Sequence, residues 1–143
     1  MPAAEHPSAR TRQRLARAAL AFVFAWFALG GAAHFLFTQA EMRIVPPWIP
    51  WPRAAVLVSG AFELLGAAGL LFRSTRGAAL WGLFALTLAV TPANVHMLER
   101  AADFPAVPYW ALVLRLPFQG FLLWLLWWLA RGGRARASGI IAP

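Results

Sequence analysis

The sequence predicts an all-α integral membrane protein: a four-helix bundle with both termini cytoplasmic and a proline-rich extracytoplasmic loop after the first helix. Three observations predict this. Of 143 residues, 61% are hydrophobic and 13% charged, against roughly 45–50% and about 25% in soluble domains. The apolar residues gather into four runs, each long enough at about 1.5 Å per residue to cross a hydrocarbon core of about 30 Å. The charges, finally, are shared unequally between the connections. Together these read as a single membrane domain over residues 1–143.

The first run, Ala18 to Phe37, follows Arg10, Arg12, Arg14 and Arg17. Basic residues, an apolar run and the small residues Gly30, Gly31, Ala32 and Ala33 imitate a secretory signal. The run nevertheless exceeds the roughly 7–15 residues of a signal core, and polar His34 follows at once, so an uncleaved helix is expected. Residues 1–11 and 132–143 read as flexible tails.

The segment Glu41 to Arg53 contains Pro46, Pro47, Pro50 and Pro52, which exclude a helix interior or a central strand. Met42, Ile44, Val45, Trp48, Ile49 and Trp51 are too apolar for a solvated loop. An extended segment across the outer end of the bundle is expected, serving as an interfacial anchor or as a lid over a pocket. The second run, Ala54 to Phe72, and the third, Gly77 to Met97, are separated by Arg73 and Arg76. The fourth, Tyr109 to Ala130, precedes Arg131, Arg134 and Arg136. Nine arginines therefore share one side, whereas Arg43, Arg53 and Arg100 on the other are matched by Glu41, Glu99 and Asp103. An excess of arginine marks the cytoplasmic side. All 13 basic residues are arginine and the net charge is +8, yet in so apolar a chain this basicity reflects topology and calls for no nucleic acid. Tyr109 and Trp110 with the loop tryptophans, and Trp124, Trp127 and Trp128 toward the other end, read as two aromatic belts.

Polar residues interrupt every run. They are His34, then Ser59 and Glu63, then Asn94 and His96, then Arg115 and Gln119. A charge at the bilayer centre costs roughly 2.5–3.5 kcal/mol on insertion scales, so Glu63 and Arg115 are expected to face the bundle interior. Their distances from the outer helix ends, roughly 13 and 9 Å by helical rise, put the cluster in the outer half. Ser59 and Glu63 stand at i, i+4, as do Arg115 and Gln119, so each pair forms a stripe. A Glu63–Arg115 ion pair is expected, with His34, Asn94 and Gln119 completing its hydrogen bonds. Two readings stay open: a cluster that only fixes helix register, and a polar site that binds a small molecule. Pro92 and Pro117 free the carbonyls of Leu88 and Val113 and loosen the helices beside it. Gly30, Gly31, Gly66, Gly69, Gly77 and Gly82 are expected to allow close helix approach.

The chemistry is bounded as well. With no cysteine, disulfide exchange, iron–sulfur clusters and thiolate metal sites within the chain are excluded. His34 and His96 supply two nitrogen ligands, too few to argue for haem or a metal. No nucleophile–His–acid set and no glycine-rich phosphate loop is present, and catalytic residues are not identifiable. A histidine, a carboxylate and apolar walls suit a quinone without specifying one.

Gly30-Gly31-x-x-His34-Phe35, Arg43-Ile44-Val45-Pro46-Pro47-Trp48-Ile49-Pro50, Ser59-Gly60-x-x-Glu63-Leu64-Leu65-Gly66, Pro92-Ala93-Asn94 and Arg115-Leu116-Pro117-x-Gln119 occur in that order. Over roughly Phe22 to Trp128 the chain resembles the DoxX family, including its DoxX-like members. The resemblance implies a small four-helix protein of the bacterial cytoplasmic (inner) membrane associated with redox complexes. It points to His34, Glu63, Asn94, Arg115 and Gln119 as site residues, with Ser59, His96 and Trp48 as secondary candidates. The expected function is that of an accessory subunit of a membrane redox system, without catalysis of its own, binding a quinone or lipid-like ligand. The alternatives are a structural or assembly protein and a small-molecule transporter. The lipid bilayer, other membrane or redox subunits and a second copy of the chain are the partners considered.

Overall fold

A computed structural model describes residues 7–137, with side chains from 10 to 132. Six α-helices and one short 3-10 turn follow in order: α1 Pro7–Leu36, α2 Thr38–Met42, α3 Pro52–Leu71, α4 Arg76–Ala89, α5 Thr91–Glu99, the turn Ala101–Asp103, and α6 Tyr109–Ala137. Four stretches are long and apolar enough to cross a membrane: Arg10–Leu36, Pro52–Leu71, Arg76–Glu99 and Tyr109–Gly132. By length and composition this is the architecture of a multi-pass membrane protein. Large apolar side chains cover its outside, among them Leu29, Phe62, Leu65 and Leu114, each more than half exposed.

Contacts between neighbours run in opposite directions, which fixes an up-down-up-down bundle. Gly30 meets Glu63 while Gly60 meets His34 across α1 and α3, and Gly66 meets Leu83 while Gly69 meets Ala79 across α3 and α4. Phe22 meets Phe121 and Trp26 meets Phe118 across α1 and α6. Glycine is required at the α1–α3 crossing, where a Cβ on Gly60 would lie 2.6 Å from that of His34, and one on Gly31 would lie 2.9 Å from the Gly60 carbonyl. Gly77 and Gly82, expected to permit close packing, face open space. They lie on the outside of α4, where no neighbour approaches.

Several boundaries differ from expectation for local reasons. Residues 7–11 and 132–137, expected as tails, continue α1 and α6, with Pro7 at the first helical position, where a missing N–H costs no bond. Residues 1–6 and 138–143 lie outside the described residues. The third run is two helices, because Pro92 has no N–H to give the Leu88 carbonyl, and α4 ends in a turn at Val90 before α5 begins. Pro117, by contrast, is accommodated inside a continuous α6.

The proline-rich segment is not extended throughout. Glu41 and Met42 close α2, and turns follow, with Val45 N–H donating to Met42 O at 3.3 Å and Ile49 N–H to Pro46 O at 3.0 Å. Trp51 takes the left-handed conformation, φ 56, to swing the chain into α3, which begins on Pro52; proline suits a first helical position because its missing N–H would have no partner there. The segment is tied down from the far loop. Arg43 Nη2 donates to Asp103 O at 3.1 Å and its guanidinium lies over the Phe104 ring, while Arg100 pairs with Asp103 at 2.8 Å.

The packed core occupies the half of the bundle nearer the arginine-rich ends. Val23 and Phe27 from α1, Ala67 and Leu70 from α3, Leu80 and Leu83 from α4, and Leu125, Leu126 and Ala130 from α6 interlock there. The other half is hollow.

Candidate functional site

The hollow half holds a partly open cavity of about 870 Å³, lined by residues of all four spanning segments and of the proline-rich segment. That volume suits a small-molecule site. Trp26, Phe62 and Phe118 form aromatic walls, and Ile44, Val45, Pro46 and Ile49 reach in from the loop, with Pro46 buried. Residues of the loop thus line one side of the cavity. Trp48 and Trp51 point away from it, at 67% and 78% exposed.

All five principal candidates line this cavity: His34, Glu63, Asn94, Arg115 and Gln119, with Ser59 beside them. They divide into two groups. On one wall, His34 Nε2 stands 3.6 Å from Glu63 Oε1, with both side chains largely buried. That separation is an imidazole–carboxylate approach longer than a hydrogen bond. His34 Nδ1 is buried without a partner. Ser59 Oγ donates to Val56 O at 2.9 Å. On the other wall a directed chain of bonds joins three helices. Gln119 Nε2 donates to Thr87 O at 2.7 Å and to Thr91 Oγ1 at 2.6 Å, Asn94 Nδ2 donates to Gln119 Oε1 at 2.7 Å, and Arg115 Nε donates to Asn94 Oδ1 at 3.3 Å. Gln119 is buried and Arg115 exposed at the cavity edge.

The expected Glu63–Arg115 ion pair is not formed: Glu63 lies beside His34, and Arg115 donates to Asn94. Gly30 supplies the reason. A Cβ there would lie 2.7 Å from Glu63 Oε2, so the bare backbone of α1 lets the carboxylate lie against that helix, alongside His34. Arg115 belongs to α6, which is diagonal to α3 in the bundle, and it is held by Asn94 instead.

Thr87 and Thr91 anchor the amide chain, although sequence reasoning did not single them out. Their signal was spacing: Thr87, Thr91 and Asn94 stand at i, i+4, i+7, one polar stripe along a helix. Thr87 Oγ1 donates to Leu83 O at 2.7 Å, and the Thr87 carbonyl accepts both from Gln119 Nε2 at 2.7 Å and from Thr91 Oγ1 at 3.3 Å. Glu41 at the cavity mouth and the aromatic walls were likewise not foreseen as site elements. His96 does not join the cluster. It lines a separate notch of about 700 Å³ with Trp48, Glu99 and Arg100, so the two histidines considered as a ligand pair lie in different cavities. Among the described residues no group of three or more His, Asp or Glu is placed to hold a metal ion.

Fold and site together define a class: a small four-span helical bundle, tightly packed at its arginine-rich end and hollow with a polar lining at the other. Residues 20–130 match the profile of a family described as a domain of unknown function, DUF8561, and the chain belongs to that family. No curated protein and no solved structure matches it.

Proposed function

We propose that this chain is a multi-pass protein of a bacterial cytoplasmic membrane that binds a quinone-like or other small amphiphile as a non-catalytic, accessory subunit of a membrane redox system. The carrying observation is the cavity of about 870 Å³, apolar on most of its walls but lined by His34, Glu63, Asn94, Arg115 and Gln119. A mostly apolar space with a few convergent polar groups is the usual form of a small-molecule site, and intramembrane ionisable residues mark such sites by default. The redox association draws its support from the resemblance to the DoxX family.

The arginine asymmetry supports cytoplasmic termini and an extracytoplasmic proline-rich loop, so that the cavity belongs to the outer half of the membrane. Trp26 and Phe118, with ring centroids 4.6 Å apart, close the seam between α1 and α6 beside the cavity, a natural place for a lipid-soluble ligand to enter.

A second reading, a cluster that only fixes helix packing, draws support from the Asn94–Gln119–Thr87 chain, which is satisfied without a ligand. It accounts for α5 and α6 but leaves Glu63, the unpartnered His34 nitrogen and the cavity itself without a role. Purification from native membranes in mild detergent, followed by solvent extraction and mass spectrometry, separates the two. An amphiphile retained in near-stoichiometric amount, and lost when Ser59→Phe fills the cavity, is the expected result. Extracts containing only bulk lipid, identical in both proteins, would overturn the binding role. A redox subunit in the same preparation is expected as well.

A further inference from the structure

The two walls of the cavity differ in hydrogen-bonding sense. Ser59 has committed its only proton to Val56 O and offers lone pairs alone. Glu63 offers carboxylate oxygens, and Glu41 at the mouth adds two more. The imidazole of His34 stands 3.6 Å from Glu63 Oε1, and the ionised Glu63 carboxylate is an acceptor only. The opposite wall is the reverse. Arginine carries five N–H donors and no acceptor; Arg115 spends Nε on Asn94 and keeps its Nη donors. Its sense cannot be flipped by rotating an amide, because the Thr87 carbonyl only accepts. Gln119 must therefore turn its nitrogen to Thr87 and its oxygen to Asn94, and Asn94 in turn presents oxygen to Arg115.

We infer that this cavity prefers a dihydroxy-aromatic amphiphile, the hydroquinone form of a quinone-type ligand, over the oxidised quinone; this rests on the amphiphile-binding reading above. A hydroquinone donates through one hydroxyl to the Ser59–Glu63 wall and accepts from Arg115 at the other. A quinone carries acceptors at both ends. It satisfies Arg115 but sets a carbonyl against carboxylate lone pairs, leaving buried polar groups unpaired, and sites built around a donor discriminate strongly against analogues that lack it. The preference concerns binding alone and requires no electron transfer by this chain. If the reduced form binds about tenfold more tightly, the potential of the bound two-electron couple rises by about 30 mV.

The test is anaerobic titration calorimetry of the full chain in detergent with a decyl-tailed benzoquinone and with its hydroquinone. The hydroquinone is expected to bind at least about tenfold more tightly. Equal affinities, or tighter binding of the quinone, would overturn the preference and leave amphiphile binding standing; failure of both to bind overturns both readings. In Glu63→Gln an amide N–H enters the accepting wall, so the ratio should shrink toward one by gain of quinone affinity. If that variant does not fold, Ser59→Ala should lower hydroquinone affinity severalfold with little effect on the quinone. A ratio unchanged in a folded variant contradicts the polarised-wall account.

Discussion

Asn94 and Gln119 face each other across α5 and α6, with Asn94 Nδ2 donating to Gln119 Oε1 at 2.7 Å, and this bond ties the interrupted third span to the fourth. Asn94 lies just past the break at Val90, where α5 is no longer held by a continuous ladder from α4. The amide pair replaces that restraint. A double-mutant cycle on Asn94→Ala and Gln119→Ala, read by thermal unfolding in detergent, should give a coupling of about 1 kcal/mol, within the range for interhelical hydrogen bonds in membranes. Gln119→Leu alone should cost about 1–3 kcal/mol, because it strands the Asn94 amide and leaves the Thr87 carbonyl only the 3.3 Å bond from Thr91 Oγ1.

The corresponding cycle on Glu63→Gln and Arg115→Met should show no coupling beyond about 0.3–0.5 kcal/mol, the scatter of independent sites. The two residues border one cavity but belong to diagonal helices and to different partners, His34 and Asn94. A coupling well above that would mean that the charges meet directly.

Four apolar spans were legible in the sequence, because lipid demands long apolar runs. Five of the polar interruptions, His34, Glu63, Asn94, Arg115 and Gln119, do line one cavity, whereas Thr87, Thr91 and Glu41 were missed and His96 lies elsewhere. Which cluster members touch was not legible. Depth and i, i+4 spacing place Glu63 and Arg115 within one half of the bundle, but neither reports the order of helices around its axis, and that order puts α3 and α6 on a diagonal. Nor did spacing distinguish the glycines. Gly60, Gly66 and Gly82 look alike in the sequence, and only the neighbouring helix decides that the first two are packed against and the third faces outward. The break at Val90 was foreshadowed by Pro92, whereas Pro117, with the same missing donor, leaves α6 continuous; tertiary support decides between a kinked and a broken helix.

The glycine contrast is measurable. Gly60→Ala should destabilise the bundle by about 1–3 kcal/mol, an ordinary cost of overpacking, since the added methyl meets His34 and the Gly31 carbonyl. It should also displace His34 and weaken ligand binding. Gly82→Ala adds a methyl in open space and should be neutral or stabilising by up to about 1 kcal/mol through helix propensity. Unfolding temperatures of the two variants in one detergent check both signs.

Membrane topology is open to direct labelling, because the chain has no cysteine and any introduced thiol is the only one. With Ser74→Cys in the turn between α3 and α4, and Ala102→Cys in the 3-10 turn before α6, the two thiols lie at opposite ends of the bundle. A membrane-impermeant maleimide applied to intact spheroplasts should label the residue-102 thiol and spare the residue-74 thiol until the membrane is opened. The reasoning rests on Arg73 and Arg76 flanking Ser74, as against the charge-matched Arg100 and Asp103 around Ala102, since arginine excess and not net polarity retains a loop in the cytoplasm. The reverse labelling pattern would place the cavity in the cytoplasmic half, and a ligand would then have to reach it from the inner leaflet.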